Sequence, residues 1–320
     1  MRILIIDCMN LYLRSYIVDP SVSSNGNPIG GLKGFLKTFQ KICRETKPTK
    51  IFLVWDGAGG SRRRRSIDKN YKSGRRPLRL NRGIRNLSES EEVYNKFWQQ
   101  VQLIEYLNLM PVSQFVFDEV EADDVIAFVA QNRKFKNQQK IIVSSDKDFY
   151  QLCGNETVIY RPTQKEIVNK NDILDRYKIH PNNFVLARAL SGDKSDGIKG
   201  IGGAGLKTVA KRFPFLSEEK VYTINELVEF CQGVEAPLIV HNNIMKNPDI
   251  IKKNYKMMQL SAPSLSAKAC RKINYVIDNC ELIYNRMEFK KMMFYDGFGD
   301  WDHNDLDIVF RKIIFEGKNS

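Results

Sequence analysis

Histidine is scarce in this sequence. Three occur in 320 residues, His180, His241 and His303, and none stands beside an acidic motif. A mechanism built on imidazole is therefore not expected, and the three read as surface or packing residues. The six cysteines, Cys8, Cys43, Cys153, Cys231, Cys270 and Cys280, show neither a CxxC pair nor a zinc spacing. They read as reduced core thiols of a cytoplasmic protein. No run of 18 apolar residues and no basic amphipathic anchor is present. The apolar stretch after Met1-Arg2 is only four residues long, too short for a signal-peptide core. No membrane partner is expected.

What the chain has is charge. Lys and Arg number 50 against 37 Asp and Glu, a net charge of +13. Such a positive field favours a polyanion, here nucleic acid, as partner. The length allows a large core, with a main domain and a smaller appendage. Nine of the acids follow a pattern. Asp7 follows Ile3–Ile6, and Asp56 follows Ile51–Trp55. Glu121, Asp123 and Asp124 stand around Ala122, just before Val125-Ile126; Asp146 and Asp148 follow Ile141–Val143 and two serines; Asp193 and Asp196 lie between Gly192 and Gly197. A short β-branched run bounded by polar residues reads as a buried parallel strand. Ligands of an open α/β sheet gather outside the carboxyl ends of its strands, so the fold is expected to bring these carboxylates to one rim. That many like charges require counter-charge. Hard divalent cations with oxygen ligands supply it, Mg²⁺ first among them.

Strands are predicted at 2–7, 50–56, 112–117, 140–145 and 157–161, with helices at 30–46, 89–108 and from about 121. This alternation predicts an α/β fold with a mostly parallel sheet flanked by helices. Residues 57–87 differ in character. Glycines at 57, 59 and 60 precede Arg62–Arg65, Tyr71, Lys72, Arg75, Arg76, Arg79, Arg82 and Arg85, with almost no large apolar residue. The segment is expected to bury little and to be mobile or to wait for a partner. From about 170 the pattern turns helical, and 215–320 reads as several short helices.

Each motif also has a plainer reading. Asp146 and Asp148, two apart in extended chain, point to one side; a shared cation and a polar turn with Asp148 capping a short helix explain them equally. On a helical wheel Glu121 and Asp124 flank the stripe Ala122, Val125, Ile126 and Val129 on one side, with Asp123 on the other. Acids in a first helical turn also suit the macrodipole. The stretch Gly192–Gly205 holds six glycines in fourteen residues. Its second half, with Gly200, Gly202, Gly203 and Gly205, runs into a helix bearing Lys207 and Lys211, which lets backbone N–H groups approach a phosphate closely. A dinucleotide loop would need a preceding strand and a ribose-binding acid, and neither is in place. A sequence-independent grip on a nucleic-acid backbone fits better than a plain loop.

Taken in order, Asp7, Val54-Trp55-Asp56-Gly57, Tyr71-Lys72-Ser73-Gly74-Arg75, Glu121-Ala122-Asp123-Asp124, Ser144-Ser145-Asp146-Lys147-Asp148, Gly192–Ile198 and Gly200–Gly205 resemble the 5′-nuclease (flap endonuclease) family. The resemblance covers roughly residues 1–260 and is greatest to phage 5′–3′ exonucleases and the 5′-nuclease domain of bacterial DNA polymerase I. It implies a PIN-like, metal-binding nuclease core over 1–168 with a basic arch at 57–87, and a helix–three-turn–helix duplex-binding region over 169–264. Residues 265–320 match nothing in the family and stand as a C-terminal extension of unknown role. By motif, Asp7, Asp56, Glu121, Asp123, Asp124 and Asp146 would surround a first Mg²⁺, some of them through water. Asp148, Asp193 and Asp196, with Asp146 shared, would surround a second, and Mn²⁺ would substitute. Lys72 and Arg75 would face the scissile phosphate from the arch, Tyr71 would stand with them on DNA, and Arg188 would be a basic active-site residue. The run Arg62–Arg65 has no place in the family pattern.

The activity so implied is two-metal hydrolysis of phosphodiesters near the 5′ end of flap, nicked or RNA-primed DNA. The partners would be branched or nicked DNA and RNA–DNA hybrid. The enzyme is expected to act as a monomer in the cytoplasm (the host's, if phage-encoded), with a clamp or single-strand-binding protein as unspecified replication partners. Two other readings stay open on sequence alone. One is a non-catalytic, structure-specific DNA-binding protein. The other is a PIN-type ribonuclease acting on single strands, which leaves the Gly-rich grip unexplained.

Overall fold

Short β-branched runs, too brief for a helical stripe, make the centre of the molecule. The computed structural model describes residues 1–74, 84, 87–279 and 282–317. In chain order, β1 (Arg2–Asp7) runs without a loop into α1 (Cys8–Val18), and α2 (Gly30–Thr46) leads to β2 (Lys50–Trp55). A short α3 (Arg62–Ile67) precedes α4 (Glu89–Asn108), β3 (Ser113–Val116), α5 (Ala122–Ala130), β4 (Gln139–Val143), β5 (Thr157–Arg161) and β6 (Glu166–Val168). Then come α6 (Lys170–Tyr177), α7 (Pro181–Ser191), the hairpin of β7 (Gly192–Asp193) and β8 (Ile198–Lys199), and α8 (Leu206–Arg212). The rest is helical: α9 (Ile224–Gln232), α10 (Ile239–Lys246), α11 (Pro248–Met258), α12 (Ala267–Asn279), α13 (Arg286–Tyr295) and α14 (Asn304–Gly317).

The sheet order is β3-β2-β1-β4-β5-β6. All its pairings are parallel except that of β5 with β6. Period-two alternation sends Ile3, Ile5, Phe52, Val54 and Ile142 to one face, against α5 and the helical region. Leu4, Ile6, Ile51, Leu53, Trp55, Ile141 and Val143 go to the other, against α1, α2 and α4. Both faces are covered, as a parallel sheet requires. This is the expected α/β class, a PIN-like sheet flanked by helices.

Local chemistry fixes the element ends. Ser88 caps α4 in a capping box with Glu91. His180 caps α7 through its ring nitrogen, while His241 and His303 stack edge-on against Phe213 and Phe289, so all three histidines serve capping or packing. Cys8, Cys43, Cys153 and Cys231 are buried free thiols and Cys270 is half-buried; Cys280 lies outside the described residues. No helix among the described residues is long and apolar enough to cross a membrane.

One expectation is corrected here. Residues 57–74 bury little beyond Tyr71, as expected, but they do not wait for a partner: Arg62–Ile67 is helical and held in place. The reason is a buried acid, described below, that sequence composition does not reveal. The C-terminal extension joins the core: Ile273 and Ile277 of α12 belong to the same apolar cluster as α5, while α13 packs on α4 through Phe289 and Tyr106 and α14 on α2 through Phe310 and Phe39.

Candidate active site

Because β3, β2, β1 and β4 are adjacent and parallel, the residues that leave their carboxyl ends share one edge of the sheet. Asp7 ends β1 and caps α1, accepting from the N–H of Asn10 at 3.1 Å and the hydroxyl of Ser144 at 2.9 Å. Asp56 follows β2 and accepts from the N–H of Ala122 at 2.8 Å. Asp146 lies three residues beyond β4 and caps the following turn, accepting from the N–H of Asp148 at 2.8 Å. Asp193 enters from the β7–β8 hairpin and is brought in by Arg188, which is buried. Arg188 donates from Nε to Asp148 at 2.8 Å and from its terminal nitrogen to Asp193. Arg188 is thus a clamp between the sheet and the helical region.

The carboxylates feel one another. Burial, and next the charge of Asp56, lifts the Asp7 carboxyl to about 7. Burial and then Asp148 lift Asp146 to about 7. Asp123 is pushed well above the ordinary carboxylate range by burial and Asp146, with Asp7 adding. Asp148 is raised by burial, with Asp193 and Asp196 working against the relief that Arg188 provides. Two groups emerge from these couplings, one of Asp7, Asp56, Asp123 and Asp146, the other of Asp146, Asp148, Asp193 and Asp196, with Asp146 in both. Among the described residues no three such side chains are drawn close enough to hold an ion where they stand; each of Asp7, Asp56, Asp146, Asp148 and Asp193 is turned toward a donor of the chain itself. The donor set still fits a hard divalent cation. It is all oxygen, and it carries more negative charge than its arginine and lysine neighbours offset.

Glu121 and Asp124 differ from the other acids. Glu121, 2 % exposed, accepts from four donors of the basic segment. These are Ser61 Oγ at 2.6 Å, Tyr71 Oη at 3.1 Å, Lys72 Nζ at 2.8 Å, and the Arg64 guanidinium. Arg64 also pairs with Asp124 at 3.2 Å. Burial alone would raise the Glu121 carboxyl, but Arg64 and Lys72 more than offset it and hold it below its ordinary value. Lys72 is likewise kept charged, since Glu121 and Asp123 outweigh its burial. Glu121 therefore anchors the root of the basic segment on the rim. Tyr71, expected on DNA, is buried with its hydroxyl on Glu121, because the aromatic ring packs beneath the segment rather than outside it. Arg75 lies outside the described residues. Arg64 and Ser61 carry chemistry the motifs did not mark; the available signal was four consecutive arginines, one of which must face inward on any helix.

The Gly-rich stretch lies on the helical side. Gly200 packs against the end of α7, where a Cβ would meet the Ser191 carbonyl at 2.3 Å. Gly203, with φ +83°, stands in open space together with Gly205, a backbone only glycine adopts without strain. Lys207 and Lys211 are exposed one turn apart on α8.

The family model described as "5′-3′ exonuclease, N-terminal resolvase-like domain" matches residues 2–178. The chain belongs to the 5′–3′ exonuclease family. It is 28 % identical over 295 residues to a 5′-3′ exonuclease of Buchnera aphidicola, spanning 91 % of this chain and 93 % of that one. It is also 28 % identical over 212 residues to the thermostable DNA polymerase I of Thermus thermophilus, there covering 66 % of this chain and 23 % of the polymerase. In fold it is similar to the flap endonuclease of bacteriophage T5, solved as a pseudo-enzyme-product complex with DNA and metal ions. That likeness has a TM-score of 0.64 at 14 % identity and covers 97 % of this chain and 99 % of that one. As a 5′ nuclease of this family, the chain carries its acids along one edge of the sheet.

Proposed function

We propose that this 5′ nuclease hydrolyses phosphodiesters near the 5′ end of flap, nicked or RNA-primed DNA with two Mg²⁺ ions, Mn²⁺ substituting. The observation that supports this most is the pair of charge-coupled acid groups sharing Asp146 on one rim, with the Lys72 ammonium in the field of Glu121, Asp123 and Asp196 beside them. Ions held there would lower the pKa of a bound water and offset charge on the leaving oxygen. Asp7, Asp56, Asp123 and Asp146 would hold one, and Asp146, Asp148, Asp193 and Asp196 the other. Glu121 and Asp124, engaged by Arg64, would reach the first through water. Arg188 orients Asp148 and Asp193, and Lys72, with Arg75, offsets charge developing on the phosphoryl oxygens. Residues 169–264 would form the helix–three-turn–helix duplex-binding region, with the Gly200–Gly205 turn and α8 as its grip.

A labelled 5′-flap duplex with Mg²⁺, and again with EDTA, tests this reading. Cleavage to a 5′-phosphorylated product only in the presence of the ion is expected. Tight, metal-independent binding without cleavage would favour the binding-protein reading, and preferred cleavage of single-stranded RNA the ribonuclease one. The grip has its own test. Replacing Lys207 and Lys211 together by Ala should weaken binding to all duplex sequences alike and reduce the slope of log K against log salt by roughly two. An unchanged slope would turn this helix to solvent.

A further inference from the structure

The root of the basic segment is held from the helical region as well as from the rim. Arg64 Nε donates to the Met257 carbonyl at 2.9 Å. One turn earlier on α11, Lys253 Nζ donates to Asp68 Oδ2 at 2.8 Å. Tyr71, Val185, Ile198, Met257 and Met258 form a small apolar cluster of their own, with Ile67 packed on it. The segment, α7, β8 and α11 thus meet at one point. The other oxygen of Asp68 accepts from the N–H of Asn70 at 2.9 Å, an Asx turn. The turn continues with Tyr71 N–H on the Asp68 carbonyl at 3.0 Å and Ser73 N–H on the Asn70 carbonyl at 3.1 Å. It delivers Lys72 in a left-handed conformation, φ 57°, with its N–H on the Asp196 carbonyl at 2.8 Å. Next to it Gly197, φ +73°, admits this approach, since a Cβ there would stand 2.8 Å from the Asn70 carbonyl.

We infer that Asp68 and Lys253 are positioning residues that seat Lys72 through this turn, so that α11 of the helical region sets the charge expected to face phosphate. The inference rests on the role of Lys72 given above. Side-chain exposures of 14 % and 38 % make the pair a weak contributor to stability. Its leverage is geometric, because a small misplacement of a charge acting on the reacting group is felt strongly in the rate.

The experiment is single-turnover cleavage of a 5′-flap duplex by the full chain at saturating enzyme with Mg²⁺, alongside the Kd for the same DNA. Asp68→Asn, which keeps the acceptor for Asn70, and Lys253→Gln should each slow cleavage about tenfold. They do so although one removes a negative charge and the other a positive one. Lys253→Arg should keep the unaltered rate, and Lys253→Gln should add no loss on a Lys72→Ala background. If both single variants cleave at the unaltered rate while Lys72→Ala is slow, the inference is overturned and the role of Lys72 stands. If Lys253→Gln slows the Lys72→Ala chain by its full factor, Lys253 acts on DNA directly and the inference is likewise overturned. If Lys72→Ala itself cleaves at the unaltered rate, the role of Lys72 fails, and the inference with it.

Discussion

Asp146→Asn and Asp193→Asn should each abolish cleavage, losing more than the ~10²–10³ that removal of one electrostatic donor costs, while branched DNA stays bound. Asp146 belongs to both charge-coupled groups, so a neutral side chain there impairs both at once. The amide oxygen of asparagine still accepts from the N–H of Asp148, so the cap and the fold survive. Asp193→Asn keeps the acceptor for Ser195, 2.7 Å away, and leaves Arg188 paired with Asp148. Binding without metal should be equal or tighter, because a like charge facing phosphate has been removed. The check is single-turnover cleavage at saturating Mg²⁺ beside a filter-binding isotherm. Rates equal to the unaltered chain's would remove these acids from the chemistry.

The second large effect belongs to Lys72. Its ammonium is held charged and half-enclosed among Glu121, Asp123 and Asp196. Where water is partly excluded, a charge offsetting the developing phosphoryl charge is worth far more than on the surface. Lys72→Ala is expected to cost ~10²–10³ in single-turnover rate, or about 2.7–4 kcal/mol. Arg63 is the control, one residue before the half-buried Arg64 yet itself exposed. Arg63→Ala should lower affinity slightly, with a salt-slope change of about one. Equal small losses in both variants would mean that the segment only gathers DNA.

The sheet and its rim were legible because β1, β2 and β4 are short apolar runs that lead to Asp7, Asp56 and Asp146, and strand-end acids of a parallel sheet can go to only one edge. α1 was not legible, because it follows β1 without a Gly, Pro or Asn to mark the change of period. β6 is three residues long and antiparallel, too short for alternation to show. Composition hid how the basic segment is anchored. Few apolar residues do imply little burial, unless an acid waits inside, and Glu121 lies 57 positions from Arg64 in sequence. Tyr71 followed from the same omission. No motif marks a residue such as Lys253, whose meaning comes from a partner 185 positions away.

The C-terminal helices have a consequence for the order in which the chain can become itself. α14 packs on α2, where Phe310 meets Phe39 and Asp305 meets Arg44, and α13 packs on α4, where Phe289 meets Tyr106. A chain emerging residue by residue can pair β1 with β2 and β4 early, yet the apolar surface of α2 and α4 that α13 and α14 cover stays bare until they arrive. Such surface is what makes unfinished chains aggregate. The fold is therefore closed only when residues 267–317 have joined it.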